Sequence, residues 1–283
     1  MISISALIAL MRPVNSIMIG LAVLVGMAVV SPQSALSQSA VFGFLTGFLI
    51  SSYSMTINDR YDVEIDRIND PRRPIPSGKA SITNAMIFAS ILLLLGLISS
   101  AFITVTNIII ASIFALIALS YSLWGKRRGL LGNAMVAASM AVPFVYGGVA
   151  SGGGGQVLIW SLAFTAFLAG TGREVIKTIS DIKGDEARGI RSVAITRGSK
   201  NASRIGGAFF IAAIIAALIP LMIGEVGLVY AIMIMVPDGI LVYATMKIIS
   251  NYSTESAERV KTLVLLGMMT GLIAFIVGGA LML

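Results

Sequence analysis

At 283 residues, 57% of them hydrophobic and only 12% charged, the chain lacks the polar surface that one or two soluble domains of this length require. It contains no cysteine and no histidine, which excludes a disulfide framework, a thiol nucleophile and a phosphohistidine, and any metal site must use oxygen donors, favouring Mg²⁺, Mn²⁺ or Ca²⁺ over zinc. The net charge of +7 suits either nucleic acid or the cytoplasmic loops of a membrane protein, and the distribution of the charge decides between them.

In chain order, apolar runs predict nine membrane spans, at roughly 13–31, 37–57, 81–100, 104–124, 131–149, 155–176, 205–223, 226–247 and 262–283. Arg12 before an apolar run, with small residues following at 31–40, has some features of a secretory signal. Its length and its place in the alternation of spans read instead as a retained first span. The run SGGGG at 151–155 reads as a flexible outer turn without a phosphate-loop pattern. In span 8, Pro237 precedes Asp238, and the expectation there is a kink with a hydrogen-bonded or protonated acid, although a transporter could use that carboxyl for proton coupling. With the N-terminus in the cytoplasm, all 20 Lys and Arg fall on or near the cytoplasmic side and the opposite loops have none. Nine spans then place the C-terminus outside. The expected fold is therefore all-α, a polytopic bundle of nine transmembrane helices with two aspartate-rich cytoplasmic segments, forming a single domain over 1–283 in the cell membrane. Membrane lipids are expected partners, a nucleic-acid role is excluded by this distribution, and no obligatory protein partner is indicated.

The first charged segment, Asn58 to Lys79, gathers five acidic and five basic residues. On a continuing helix Asn58, Asp62 and Asp66 project from one face over about 12 Å of axis. Like charges in a row repel, and the spacing is explained if cations lie between them, with an amide oxygen completing the shell. Asp59 and Glu64 point elsewhere on a regular helix. Three prolines between 71 and 76 then force a turn that holds Arg67, Arg72, Arg73 and Lys79 near the membrane mouth. The second segment, Gly172 to Gly189, repeats the pattern with Lys177, Asp181 and Asp185, and Gly184 is expected to weaken its helix. Either segment alone reads most simply as a solvated helix end that sets topology. Two such rows on one side of the membrane point instead to facing acidic walls that need metal or cationic neutralisation. A polyanion bridged to the walls by Mg²⁺ accounts for acids and bases in one site. An allylic diphosphate, with its chain in an intramembrane groove and its phosphates at the rim, fits that description.

The run Asn58-Asp59-Arg60-Tyr61-Asp62-Val63-Glu64-Ile65-Asp66 resembles the first motif, NDxxDxxxD, of UbiA-type intramembrane prenyltransferases. Asp181-Ile182-Lys183-Gly184-Asp185 resembles their second, DxxxD. The likeness extends over nearly the whole chain. It implies that Asn58, Asp62 and Asp66 hold one Mg²⁺-diphosphate arrangement and Asp181 and Asp185 the other, with two Mg²⁺ bridging the diphosphate. It also implies that Lys177, Lys126, Arg67 and Tyr121, beside Ser122, contact the diphosphate or shape its pocket. Arg12 and Asn15 are further pocket candidates, because a polar amide just inside span 1 needs a partner.

Within the family the stretch from Asp62 to Gly78 is most similar to the archaeal digeranylgeranylglyceryl phosphate synthase group. That likeness implies transfer of a geranylgeranyl group from geranylgeranyl diphosphate to the sn-2 hydroxyl of geranylgeranylglyceryl phosphate, in archaeal ether-lipid synthesis. Arg72, Arg73 or bases between 188 and 204 would meet the acceptor phosphate, and Asp59 or the departing diphosphate would take the hydroxyl proton. Prenylation of a quinone precursor or a tetrapyrrole, and lipid or anion transport without bond formation, stay open as alternatives.

Overall fold

The computed structural model describes residues 3–187 and 189–281, which form twelve α-helices and no strand. A short helix α1, Ile4–Met11, starts at Ser3, whose hydroxyl accepts from the Ala6 N–H. It ends at Arg12, which takes the left-handed conformation (φ 45°), the only non-glycine residue to do so among the described residues. Pro13 then opens α2, Pro13–Val30, in the position where a missing N–H costs least. The main helices that follow are α3, Gln38–Tyr61, α5, Ile82–Ala101, α6, Val105–Leu123, α7, Leu130–Ala150, α8, Val157–Ser180, α10, Val193–Met222, α11, Leu228–Ser250, and α12, Thr254–Ala280. Two short helices, α4, Val63–Asn69, and α9, Ile182–Ala187, follow α3 and α8.

Eight of these helices are long and apolar enough to cross a membrane. The expected sixth span, 155–176, coincides with α8, which is long enough at 24 residues but carries Arg173, Glu174 and Lys177 in its second half. That polar half lowers its mean hydropathy, although the helix packs against α7, α10 and α12 and is among the most buried. The seventh span was expected from 205. It begins instead at Val193 and runs through a break at Gly198 (φ 76°). The α1 helix was not expected at all. Its eight residues are too few to register as a span.

Large apolar side chains such as Ile87, Ile91, Leu94 and Ile98 of α5 face outward, while the inner faces are rich in Ala, Gly, Ser and Thr. Lipid is as apolar as leucine, so helices in a bilayer associate through close packing and internal hydrogen bonds. Both devices are present. Asn107 of α6 donates to the Tyr146 carbonyl of α7 (3.0 Å), and the Tyr146 hydroxyl shares a hydrogen bond with Ser100 of α5 (2.8 Å). At the crossing of α2 and α7 the backbones touch, and a Cβ added to Gly147 would overlap the Val23 carbonyl oxygen. Gly147→Val is expected to lower the thermal midpoint in detergent substantially, by overpacking of at least about 3 kcal/mol because the obstacle is backbone. Gly155→Ala, in open space, should leave the midpoint unchanged.

Pro237 lies inside α11, where Gly267 and Gly271 of α12 pack against it, and Asp238 beside it is half-buried. Joined by short turns, the helices alternate in direction. The C-terminal ends of α3, α6 and α8 and the N-terminal ends of α2, α7, α10 and α12 therefore share one polar end of the bundle.

Candidate active site

Both aspartate motifs break a helix at their own aspartate. Asp62 ends α3 at φ −92°, ψ 1°, and Asp181 ends α8 at φ −98°, ψ 5°, so each lies in the sparsely populated bridge region where active-site residues recur. The expected continuous rows are thus each a helix end followed by a short second helix. The second row breaks at Asp181, ahead of Gly184, which remains inside α9. The rise between acids survives the break, because the Asp66 N–H donates to the Asp62 carbonyl (2.8 Å) and the Asp185 N–H to the Asp181 carbonyl (2.8 Å).

Around the first motif the carboxylates are buried and neutralised by side chains. Asp62 Oδ2 accepts from Asn58 Nδ2 (2.9 Å) and pairs with Lys126 Nζ. Asp59, only 3% exposed, accepts from Arg12 Nη2 and from Arg73 Nη1 (3.3 Å), and the same Arg73 nitrogen donates to Asp66 Oδ2 at 2.7 Å. Burial pushes the Asp66 carboxyl above the usual carboxylate range, and the Arg73 guanidinium opposes that shift. The cations that sequence reasoning required between the acids are therefore, in this structure, the protein's own bases. Asp59, which a regular helix seemed to turn away, is the hub of that network. The proline-rich turn supplies the third partner: Ala80 N–H donates to the Pro74 carbonyl (2.9 Å) and Ile75 is buried, which fixes Arg73 over the two acids.

Beside this network a cavity of about 230 Å³ opens between α3, α6 and α7. Arg12, Asn58, Tyr121 and Lys126 line its polar end, and Phe114, Ile117 and Met135 continue it with apolar surface. An anionic head with an apolar tail fits that division.

The second wall carries a half-exposed Lys177, paired with Glu174 at 3.6 Å, and a partly exposed Asp181 whose Oδ1 accepts from the Ser180 hydroxyl (3.3 Å). Asp185 is buried. Glu174, mostly buried, also receives Arg173 Nη1 at 2.7 Å. The two walls are tied through the loop after α6. Lys126 reaches Asp62, and three residues later Gly129 (φ 51°) lies so close to the Arg191 carbonyl that an added Cβ would stand 3.0 Å from it. The chain between Asp185 and Arg191 is itself pinned, the Ile190 N–H donating to the Asp185 carbonyl (2.9 Å).

Several expected site residues fall elsewhere. Arg67 pairs with Glu64 on an exposed face of α4 (3.0 Å), because at three residues' spacing they share a helix side directed to water. Arg72 is 94% exposed with Asp70 at 3.7 Å. Asn15 is exposed and does not line the cavity. The Ser122 hydroxyl donates to the Ala118 carbonyl of its own helix (3.0 Å). Arg188, among the bases expected near the acceptor phosphate, lies outside the described residues. Sequence reasoning missed the Asp59 hub and the Arg173–Glu174 pair. A signal for the first was present in the Arg-Pro junction at 12–13, which stops α1 and turns a charged side chain inward.

Among the described residues no three acidic side chains close on one point. The donors are nevertheless all hard oxygens, from Asn58, Asp62, Asp66, Asp181 and Asp185. Mg²⁺ is typically held by one or two carboxylates while substrate phosphates and water complete its octahedron, and each wall supplies such a pair. The residues present fit that ion.

Residues 19–281 match the UbiA prenyltransferase family. The chain is 32% identical to a digeranylgeranylglyceryl phosphate synthase of Thermococcus kodakarensis over 272 residues, 96% of this chain and 97% of that one. It is 34% identical to the enzyme of that name from Methanosphaera stadtmanae over 273 residues, covering 96% and 98%. A solved digeranylgeranylglyceryl phosphate synthase superposes with a TM-score of 0.88 at 31% identity, covering 97% of this chain and 98% of that one. A UbiA homologue from Archaeoglobus fulgidus, bound to GPP and Mg²⁺, shares the fold with a TM-score of 0.70 at 20% identity, covering 95% and 99%.

Proposed function

Because the chain belongs to the UbiA prenyltransferase family and is a membrane prenyltransferase, we propose that it transfers a geranylgeranyl group from geranylgeranyl diphosphate to the sn-2 hydroxyl of geranylgeranylglyceryl phosphate. The observation that carries this reading is a cavity with a Lys126–Asp62 and Asn58 rim and an apolar continuation, at the polar end of the bundle. Near full-length likeness to synthases of archaeal ether lipids supports the choice of acceptor.

In this reading Asn58, Asp62 and Asp66 serve one side of the diphosphate and Asp181 and Asp185 the other, with Mg²⁺ between them. Bound there, the divalent ions supply Lewis-acid neutralisation of the diphosphate oxygens. Lys126 and Arg73, now clamped on Asp62 and Asp66, are close enough to turn to the phosphate oxygens, and Lys177 does so from α8. The bond between C1 of the donor and the bridging oxygen breaks, its electron pair leaving on the diphosphate. The resulting allylic cation is met by the acceptor hydroxyl oxygen, which forms the new C–O bond and loses its proton. Asp59 Oδ1 is already shared by two guanidiniums, so we assign that proton to the departing diphosphate rather than to Asp59. Tyr121 and Phe114 wall the cavity against water, which would otherwise capture the cation. We further propose nine spans, counting α8, a single domain, and a cytoplasmic position for the polar end and N-terminus, with the C-terminus outside. The described Lys and Arg, in the loops and helix ends on that side, support this orientation.

Purified protein in phosphatidylcholine vesicles with Mg²⁺, geranylgeranyl diphosphate and geranylgeranylglyceryl phosphate should yield the diether product by mass spectrometry. EDTA should suppress it by at least about 100-fold. Prenylation of hydroxybenzoate or a tetrapyrrole in place of the diether would overturn the acceptor while keeping the reaction class.

A further inference from the structure

A second cavity, of about 370 Å³, lies at the same polar end and takes no part in the reaction derived above. Its wall carries four arginines, Arg127 and Arg128 from the loop after α6, Arg191 from the segment just before α10 and Arg197 from the first turns of α10. Elsewhere Arg12, Arg67, Arg72, Arg73 and Arg173 are paired with carboxylates, whereas among the described residues Arg60 and Arg204 are not. Among the described residues none of the four cavity arginines is paired with a carboxylate. Among the described residues no acidic side chain lines the cavity. Arg128 is steadied by its guanidinium lying over the Trp124 ring, 5.4 Å from the centroid. Four uncompensated guanidiniums around one concavity are a site for an anion. Without a carboxylate to anchor a divalent ion, the anion is bound directly rather than through metal.

The cavity's position narrows the ligand. Arg127 follows Lys126, the partner of Asp62, at a Cα step of about 3.8 Å. Arg191 follows Ile190, whose N–H is bonded to the Asp185 carbonyl. The backbone at Arg127 and at Arg191 therefore adjoins residues bonded to the two aspartate walls. Leu130, Val193 and Ile205 add apolar surface to the same cavity.

We infer that this cavity seats the phosphate monoester of the acceptor lipid, separately from the metal-bridged diphosphate of the donor. The inference rests on the acceptor proposed above. In that molecule the reacting hydroxyl is only one carbon–carbon bond and one ester linkage from the phosphorus. A phosphate held here presents the hydroxyl towards Lys126 and the donor's C1. The shared chemistry, a glycerol-linked phosphate, could also come from a bulk anionic lipid, and the test separates the two.

The double variant Arg191→Gln/Arg197→Gln is compared with wild type in phosphatidylcholine vesicles, in a Trp160→Phe background so that Trp124 alone reports binding by fluorescence. The Kd for geranylgeranylglyceryl phosphate should rise at least about 30-fold, from the loss of two charge-assisted contacts. That for the dephosphorylated geranylgeranylglycerol should change less than about threefold, and so should the KM for geranylgeranyl diphosphate. Arg191→Lys/Arg197→Lys should recover part of the loss, which a merely misfolded site would not. Unchanged binding of the phosphorylated acceptor overturns the inference. So does an equal rise in donor KM, which would give the arginines to the diphosphate. A difference that emerges only when phosphatidylglycerol is added would assign the cavity to bulk lipid and overturn it as well. If wild type makes no diether, the proposed reaction fails, while the fluorescence comparison still decides what the cavity binds.

Discussion

Asp62→Asn and Asp185→Asn should each reduce kcat by about 10²–10³-fold or more while leaving the protein folded. Asparagine has nearly the shape of aspartate and keeps one oxygen acceptor. At Asp62 it can still accept from Asn58, now at 2.9 Å, so the turn between α3 and α4 is preserved. What it loses is the negative charge that pairs with Lys126 and that, in the proposed reaction, serves a metal-bound diphosphate. Loss of one preorganised electrostatic contact to a developing anion costs on the order of 10²–10³ in rate. Asp185 is buried on the opposite wall. Since both walls act on one leaving group, the double variant should be little worse than the poorer single variant. Initial rates with saturating donor, beside thermal midpoints in detergent, check both parts. Losses that multiply would mean that the two aspartates act independently.

Asp59→Asn is expected to unsettle the fold itself. Its carboxylate lies between Arg12 and Arg73, and removing one member of a buried ionic cluster leaves the other charges uncompensated. Both arginine side chains are 30% exposed, which moderates the cost, so the expectation is about 3 kcal/mol, at the low end for such clusters. That corresponds to a fall in midpoint of about 6–12 °C. Activity should fall with it, because Arg12 would lose the anchor that holds it at the cavity and Arg73 one of its acceptors. Adding Arg12→Gln removes one of the stranded charges and should restore part of the midpoint, a coupling that a double-mutant cycle measures. If Asp59→Asn abolished turnover with an unchanged midpoint, Asp59 would be a catalytic group rather than a positioning one.

The spans were legible because hydrophobic length is a one-dimensional property. Starts and ends at α2, α5, α6 and α7 fall within a residue or two of the apolar runs, and caps such as Ser81 and Thr104 stand where those runs begin. Boundaries failed where a helix continued beyond lipid with polar sequence, as α10 does from Val193 and α12 from Thr254. The motif aspartates were legible from their spacing. Their electrostatic partners were not: Arg12 and Asp59 are 47 positions apart, and Lys126 and Asp62 are 64, so no periodicity joins them. The break at Asp62 also turns Asp66 towards Arg73 while the Asp59 side of α3 faces Arg12, an arrangement that a straight helix wheel cannot represent. Arg67 and Arg72 show the converse. Their charge and position in the sequence matched the pocket, but local pairing with Glu64 and Asp70 left them at the surface.

Equilibrium binding of a non-ionising donor analogue, geranylgeranyl thiolodiphosphate, tests whether two acidic walls hold one diphosphate through divalent metal, without requiring an acceptor or turnover. With wild-type protein in phosphatidylcholine vesicles, binding should strengthen at least about tenfold when Mg²⁺ is added, and that increment should be lost in both Asp62→Asn and Asp185→Asn. Equally tight binding in EDTA, or a full Mg²⁺ increment retained in either variant, would contradict that arrangement.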